Sequence, residues 1–351
     1  MQHFKSTLGT YKVGERAFQP VLLAPLSGIT DHPFRKVVRL ASSEPELPCL
    51  TFSEMVASKA VIGNMKDSRK LDLGDGDHDG MVVQLAGTDA ETCAEAAVIV
   101  EQRGAIGIDL NFGCPARKVV KKAAGSSLMR DEKLCGEIFR AVVDSVSVPV
   151  SVKMRLGWDH TSLNAATIAK MAEDAGAHAL TVHGRTRCQF YNGEADWELI
   201  YAVKEAVSIP LVVNGDIGTL SETECALVQS GADFAMIGRK AVGQPWALGE
   251  ISQVLQGKKV TGRTYDQKVE LMYLHLKLAV ERDGELTGIR NMRKHFLGYA
   301  KSLIKDEIKR ENFFRKMLQI IKEDQMFAHL DDYFGEHRTT NDFGFSVDLA
   351  A

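Results

Sequence analysis

From Val21 to about Leu255, short apolar runs alternate with amphipathic stretches. The runs are Val21–Leu26, Pro48–Met55, Met81–Ala86, Ile106–Phe112, Val148–Met154, Ala179–His183, Ile209–Asn214 and Phe234–Gly238. Most are near-continuously apolar, the pattern of strands buried on both faces of a parallel sheet. Helix-like segments lie between them, among them Ala90–Arg103, Leu134–Ser145, Asn164–Ala175 and Glu194–Ala206. Gly104, Gly176 and Gly231 each stand where a helix must close and turn into the next strand. Eight strand candidates at this rhythm, over about 235 residues, predict an α/β fold of the (β/α)8 TIM-barrel type rather than an open doubly wound sheet. No G-x-G-x-x-G follows the first strand, which removes the main mark of the open dinucleotide fold. Asp72–Asp79, polar and rich in Gly and Asp, predicts an insertion in the second βα unit.

After Gly257 the period changes to that of helices alone. Tyr265–Asp283 places Val269, Met272, Tyr273, Leu276 and Val280 on one face, and Gly288–Ile304 does the same with Ile289, Met292, Phe296, Tyr299 and Leu303. A third segment uses Phe313, Phe314, Met317, Leu318 and Ile321. The expected organisation is a barrel over 1–257, a small all-α bundle over 258–335 and a loosely held tail over 336–351.

Composition narrows the class without naming a function. The 351 residues are 45% hydrophobic and 25% charged, as in a soluble globular protein with ample core. The net charge of −3 hides an asymmetry, since Gly288–Lys322 carries ten Lys/Arg against three acids. A basic C-terminal region on an acidic body suggests a polyanion partner, although a solvated helix face has the same composition. The six cysteines are scattered with no Cys-x-x-Cys pair, arguing against a disulfide framework or a zinc site. The N-terminus lacks the apolar core of a signal peptide, and no apolar run has membrane-spanning length. The expectation is a cytoplasmic monomer with no membrane attachment and no metal.

Barrel enzymes place chemistry at the C-terminal ends of strands. Here those ends carry Pro25-Leu26-Ser27, Ser53-Glu54-Met55, Gln84, Asn111 to Cys114, Lys153-Met154-Arg155, His183-Gly184-Arg185, Asn214-Gly215-Asp216 and Gly238-Arg239. So many polar strand ends are hard to explain by packing, because each costs free energy if left unsatisfied. The last two make a barrel phosphate site, with Gly215 and Gly238 admitting a phosphate to backbone N–H groups and Arg239 supplying charge. With Lys153 and Gln84 at the same mouth, the set suits FMN. A cation near flavin N1/O2 stabilises the reduced ring, and Gln84 can bond its pyrimidine edge.

Cys114 reads in three ways from the sequence. It is a plain buried thiol, a nucleophile with His183 as base, or a general acid. Metal ligation fits poorly, because His178, His183 and Cys188 lack paired ligand spacing. Behind it comes a basic run, Arg117, Lys118, Lys121 and Lys122. In the helical region Arg290, Lys294 and Lys301 share a face, flanked by Arg293.

The runs Leu23–Asp31, Asp109–Pro115, Val152–Gly157, Val182–Arg187, Asn214–Ile217 and Ile237–Trp246 resemble the tRNA-dihydrouridine synthase family, in family order, over roughly residues 20–305. Asn-x-Gly-Cys-Pro and His-Gly-Arg-Thr-Arg are the most specific elements. Met292-Arg293-Lys294-His295 and Tyr299 look closest to the bacterial B type. Leu26-Ser27 departs from the Met-Ala of many members, with shape preserved at Leu26. The resemblance implies an FMN barrel followed by a helical tRNA-binding domain, with NADPH as reductant. It implies cofactor contacts at Pro25, Gln84, Lys153, His183, Asn214, Gly215, Asp216, Gly238 and Arg239. Uracil contacts fall on Asn111, Arg155 and Tyr191, and Cys114 becomes the proton donor. Two rivals remain open on the sequence: a flavin barrel reducing a free small molecule, and an RNA-binding barrel without catalysis.

Overall fold

In the computed structural model, which describes residues 7–42, 44, 47–63, 81–260 and 262–337, the alternation becomes a closed parallel barrel. A hairpin precedes it, β1 (Tyr11–Val13) antiparallel to β2 (Arg16–Phe18). The barrel strands are β3 (Val21–Leu23), β4 (Thr51–Phe52) continued by β5 (Val56–Ala57), β6 (Met81–Ala86), β7 (Gly107–Phe112), β8 (Val150–Arg155), β9 (Ala179–His183), β10 (Leu211–Asn214) and β11 (Phe234–Ile237). Every pairing in the ring is parallel, and β11 returns to β3 through Ile237 opposite Leu23. Each predicted apolar run therefore carries a strand, several of them shorter than the run.

The surrounding helices are α1 (His32–Ser42), α2 (Ser58–Ile62), α3 (Ala90–Gln102), α4 (Arg117–Val120), α5 (Glu132–Ser145), α6 (Ala165–Asp174), α7 (Tyr201–Ala206), α8 (Leu220–Ser230) and α9 (Ala247–Leu255). Local chemistry starts them. Asp89 and Asp131 accept the backbone N–H of Thr92 and Leu134 at the N-termini of α3 and α5, and Thr219 with Glu222 forms a capping box on α8. The helix predicted over Glu194–Ala206 is shorter, a 3₁₀ turn at Glu198–Ile200 leading into α7. Ala195 N donates instead to Asp216 and Asp196 N to the Gly184 carbonyl, so both amides belong to loops at the barrel mouth.

Side-chain alternation along each strand explains why the barrel has a floor and a chemical mouth. Outward residues such as Val21, Leu23, Val83, Leu85, Ile108, Leu110, Val213 and Ile237 pack under the helices. Inward residues nearer the strand starts, Leu22, Phe52, Val82, Val212 and Met236, form a separate apolar core closed below by Tyr11 and Phe18 of the hairpin. Two residues further along, the inward positions turn polar. Val82 gives way to Gln84, Val212 to Asn214 and Ala179 to Thr181 and His183.

Among the described residues four helices follow the barrel: α10 (Tyr265–Asp283), α11 (Glu285–Leu303), α12 (Glu307–Met317) and α13 (Glu323–Phe334). The sequence reading found the first three, except that α12 ends at Met317 and leaves Leu318 and Ile321, expected on its apolar face, exposed. The fourth carries Met326, Leu330 and Phe334 at a spacing of four, buried in the same core as Tyr273, Phe296 and Phe313. That core also takes in Val37 and Ala41 of α1 and Trp246, which seats the helices on the barrel. The backbones of Gly243 and Gly298 meet there so closely that a Cβ on either would overlap the other. Arg263 adds a hydrogen bond from Nη2 to the Leu40 carbonyl at 2.7 Å, and Ser302 one to the Gly243 carbonyl at 3.0 Å. The Asp72–Asp79 stretch and residues 338–351 lie outside the described residues. Among the described residues no helix is long and apolar enough to cross a membrane.

Candidate active site

The polar inward positions open into a cavity of about 600 Å³ at the carboxyl ends of the strands, a size suited to a cofactor plus part of a substrate. Cys114 stands on its wall, two residues beyond the end of β7, half-buried and free. Four contacts fix its loop. The Asn111 side-chain oxygen accepts from Gly113 N at 3.2 Å and Cys114 N at 2.9 Å, while Arg155 Nε donates to the Gly113 carbonyl at 2.8 Å. Ser126 Oγ donates to the Cys114 carbonyl at 2.9 Å. Gly125, at φ +63°, lets this turn approach, since a Cβ would fall 2.8 Å from that same oxygen.

A buried relay stands behind the loop. Ser151 Oγ donates to Asp109 Oδ1 at 2.7 Å, Gln84 Nε2 donates to Asp109 Oδ2 at 2.6 Å, and Asn111 Nδ2 donates to Gln84 Oε1 at 2.6 Å. Asp109 is fully enclosed, and burial pushes its carboxyl up to about 6. Burial likewise pushes Lys153 down to about 8, against the attraction of Asp109. Lys153 Nζ donates to Asn214 Oδ1 at 2.9 Å, and Asn214 Nδ2 donates to the Met236 carbonyl at 2.8 Å.

His183 is held well below its ordinary value by burial, then by Arg155, Lys153, Arg185 and Arg239. Its imidazole is therefore neutral at physiological pH, and Nδ1 has no hydrogen-bond partner. No hydrogen bond joins it to Cys114, so the geometry does not supply the base that a nucleophilic cysteine needs. Across the mouth, Asp216 receives both Arg185 Nη1 at 3.0 Å and Nη2 at 2.5 Å, and Arg239 Nη2 at 3.3 Å. Burial alone would raise the Asp216 carboxyl; its bonds to Arg185 and Ala195 hold it below the ordinary value. Arg239 and Arg155 both lie over the Tyr191 ring, at 4.7 and 5.6 Å from its centroid.

All thirteen residues expected as catalytic, cofactor or uracil contacts line this one cavity. Their partners refine what each can do. The Asp216 carboxylate is committed to two arginines, so it orients Arg239. Asn111 has both acceptor positions and one N–H engaged, leaving one N–H for the cavity. Lys118 also lines the cavity, and Arg117, Lys121 and Lys122 are exposed beside it. In α11, Arg290 and Lys301 are exposed. Lys294 instead turns inward and donates to the Gly28 carbonyl, and Arg293 Nη2 donates to the Ile320 carbonyl at 3.2 Å. Asp109, Ser151 and Arg185 were absent from the expected set. A charged residue in the middle of an apolar strand run was the available signal for Asp109.

A closed barrel whose strands end in a cationic, amide-lined cavity beside a fixed thiol is the layout of a (β/α)8-barrel enzyme. The family model for dihydrouridine synthase (Dus) matches residues 22–334. A probable tRNA-dihydrouridine synthase of Rickettsia bellii is 45% identical over 285 residues, covering 81% of this chain and 86% of that one. tRNA-dihydrouridine synthase B of Pseudomonas aeruginosa is 42% identical over 297 residues, covering 84% and 87%. The chain belongs to the dihydrouridine synthase family and is an oxidoreductase of that family.

Proposed function

We propose that this protein reduces the C5–C6 double bond of specific uridines in tRNA, with FMN in the mouth cavity, NADPH as reductant and Cys114 as proton donor. One observation carries the reading: Cys114 shares a single cavity with Lys153, His183, and the Gly215 and Arg239 corner. That donor set fits FMN. Arg239, with the backbone at Gly215 and Gly238, would hold the phosphate, and Lys153, Gln84 and His183 would meet the polar edge of the ring. Bound there, FMN would supply the hydride chemistry for uracil C6, with NADPH as the source of the electrons.

The chain's own residues do the rest. Tyr191 and Arg155 offer a stacking face and a cation to a base drawn out of the tRNA. Asn111 and Arg155 fix the Cys114 loop, so the thiol can give its proton to C5 as C6 gains hydride. Lys153 places positive charge where a reduced ring gathers negative charge. The test is incubation of the purified protein with NADPH and tRNA lacking dihydrouridine. Flavin absorbance should bleach with NADPH and return on adding tRNA, with dihydrouridine appearing in the tRNA. Equal turnover of free uridine without tRNA would favour a small-molecule reductase.

The exposed charges around the mouth give a separate expectation. Replacing Lys121 and Lys122 by alanine should weaken tRNA binding and lower the slope of log K against log salt by roughly 0.7–0.9 per lost phosphate contact. NADPH oxidation by the flavin should not change. Filter binding across a salt series reads this, and parallel lines for variant and wild type would place these lysines away from the RNA. Arg293 and Lys294 are poor choices for the same experiment, because both are tied to the fold.

A further inference from the structure

A second cluster of ligating groups lies away from the barrel mouth, where the helices meet α1. Asp31, just before α1, His275 in α10 and His295 in α11 are all buried, and one ligating atom from each lies within 4.8 Å of the others. His295 is the anomaly. It is 1% exposed, and neither ring nitrogen has a hydrogen-bond partner. A neutral imidazole carries one donor and one acceptor, and leaving both unsatisfied in a core costs roughly 1–3 kcal/mol each. Packing alone could have used phenylalanine there, since Phe34 stacks on His275 and lies tilted against His295.

We propose that Asp31, His275 and His295 bind one divalent ion of the zinc class, which ties the helical region to the barrel. Two imidazoles and a carboxylate are a borderline ligand set that zinc accepts, with a fourth position for water. Ligand atoms at about 2.1 Å from zinc lie roughly 3.4 Å apart, so small side-chain rotations complete the site. His275 already has the outer contact typical of a ligand, its Nδ1 lying 3.2 Å from Tyr299 Oη, which leaves Nε2 for the ion.

The charges around the site bear on affinity. Arg282 Nη1 is 3.9 Å from Asp31 Oδ2, and Lys294 acts on Asp31 and on both histidines. Glu54 and Asp283 oppose them: Arg282 Nε is paired with Asp283 at 3.0 Å, and Glu54 accepts from Gly28 N beside Lys294. Among these named groups two are cations and three are carboxylates, Asp31 itself included.

The experiment uses the flavin-loaded protein, purified without a metal-affinity step. After incubation with ZnCl2 and gel filtration, elemental analysis should find one zinc per chain. Thermal unfolding should shift upward with zinc and back with a chelator. Co2+ should give ligand-field absorption beyond the flavin bands. His295→Phe and Asp31→Asn should each lose the ion and the thermal response. Asp31→Asn keeps the side-chain oxygen that accepts Phe34 N at 3.1 Å, so it remains informative if His295→Phe does not fold. Retention of the same amount of zinc by Asp31→Asn would place the ion elsewhere and overturn the proposal. So would the absence of retained Zn2+, Co2+, Ni2+ or Mn2+ in the wild type with no chelator effect on unfolding.

Discussion

Cys114→Ala should leave the protein yellow and reducible by NADPH while lowering dihydrouridine formation by about two to four orders of magnitude, the usual worth of a positioned general acid. The loop around position 114 is held by backbone bonds from Asn111, Arg155 and Ser126, none of which uses the sulfur. Truncation at Cβ should therefore remove the acid without moving its frame. Cys114→Ser sharpens the test, because a hydroxyl keeps the position and the hydrogen-bonding capacity but is a far weaker acid. It should rescue little. Rapid-reaction kinetics separate the half-reactions: flavin reduction by NADPH should be unchanged, and reoxidation by tRNA slow. Reoxidation at the wild-type rate in both variants would remove Cys114 from the chemistry.

Much of this site was legible in the sequence because barrel topology turns strand order into spatial order. Once strand ends are known to meet at one mouth, Gln84, Asn111, Lys153, His183 and Asn214 need no further information to become neighbours. Sequence separation hides what lies one layer below. Asp109 is in the same strand as Asn111, but its partners Gln84 and Ser151 come from the two adjacent strands, a register that only the paired structure displays. Charge counting failed for a similar reason in α11. Helical spacing groups Arg290, Lys294 and Lys301, yet the neighbouring barrel loop captures Lys294, and the α12–α13 connection captures Arg293. The N-terminal hairpin was missed because its strands are three residues each, too short for period alone to mark them.

Asp109→Asn should move the alkaline limit of flavin reduction from near pH 8 to neutral pH or below. Both members of the buried pair are shifted toward their uncharged forms, Asp109 up from 3.8 and Lys153 down from 10.5. The signs make the pair costly to the fold. The neutral-form preference of Asp109 favours folding below its ordinary value and is lost as pH rises through about 6, and that of Lys153 is regained only as pH rises above about 8. In the window between those values both groups are charged and attract each other, in the place where a reduced flavin would need a cation. Removing the carboxylate deletes the attraction that keeps Lys153 charged, a change worth about 1–3 pKa units for a close partner. The relay itself survives the change: an asparagine at 109 keeps its oxygen toward Gln84 Nε2 and turns its NH2 to Ser151 Oγ, so Gln84 still accepts from Asn111. The midpoint potential of the bound flavin should fall at pH 7.5, with an alkaline limb shifted to lower pH. Lys153→Met should abolish the same limb. An unmoved limb and potential in Asp109→Asn would mean that Lys153 keeps its proton without this partner.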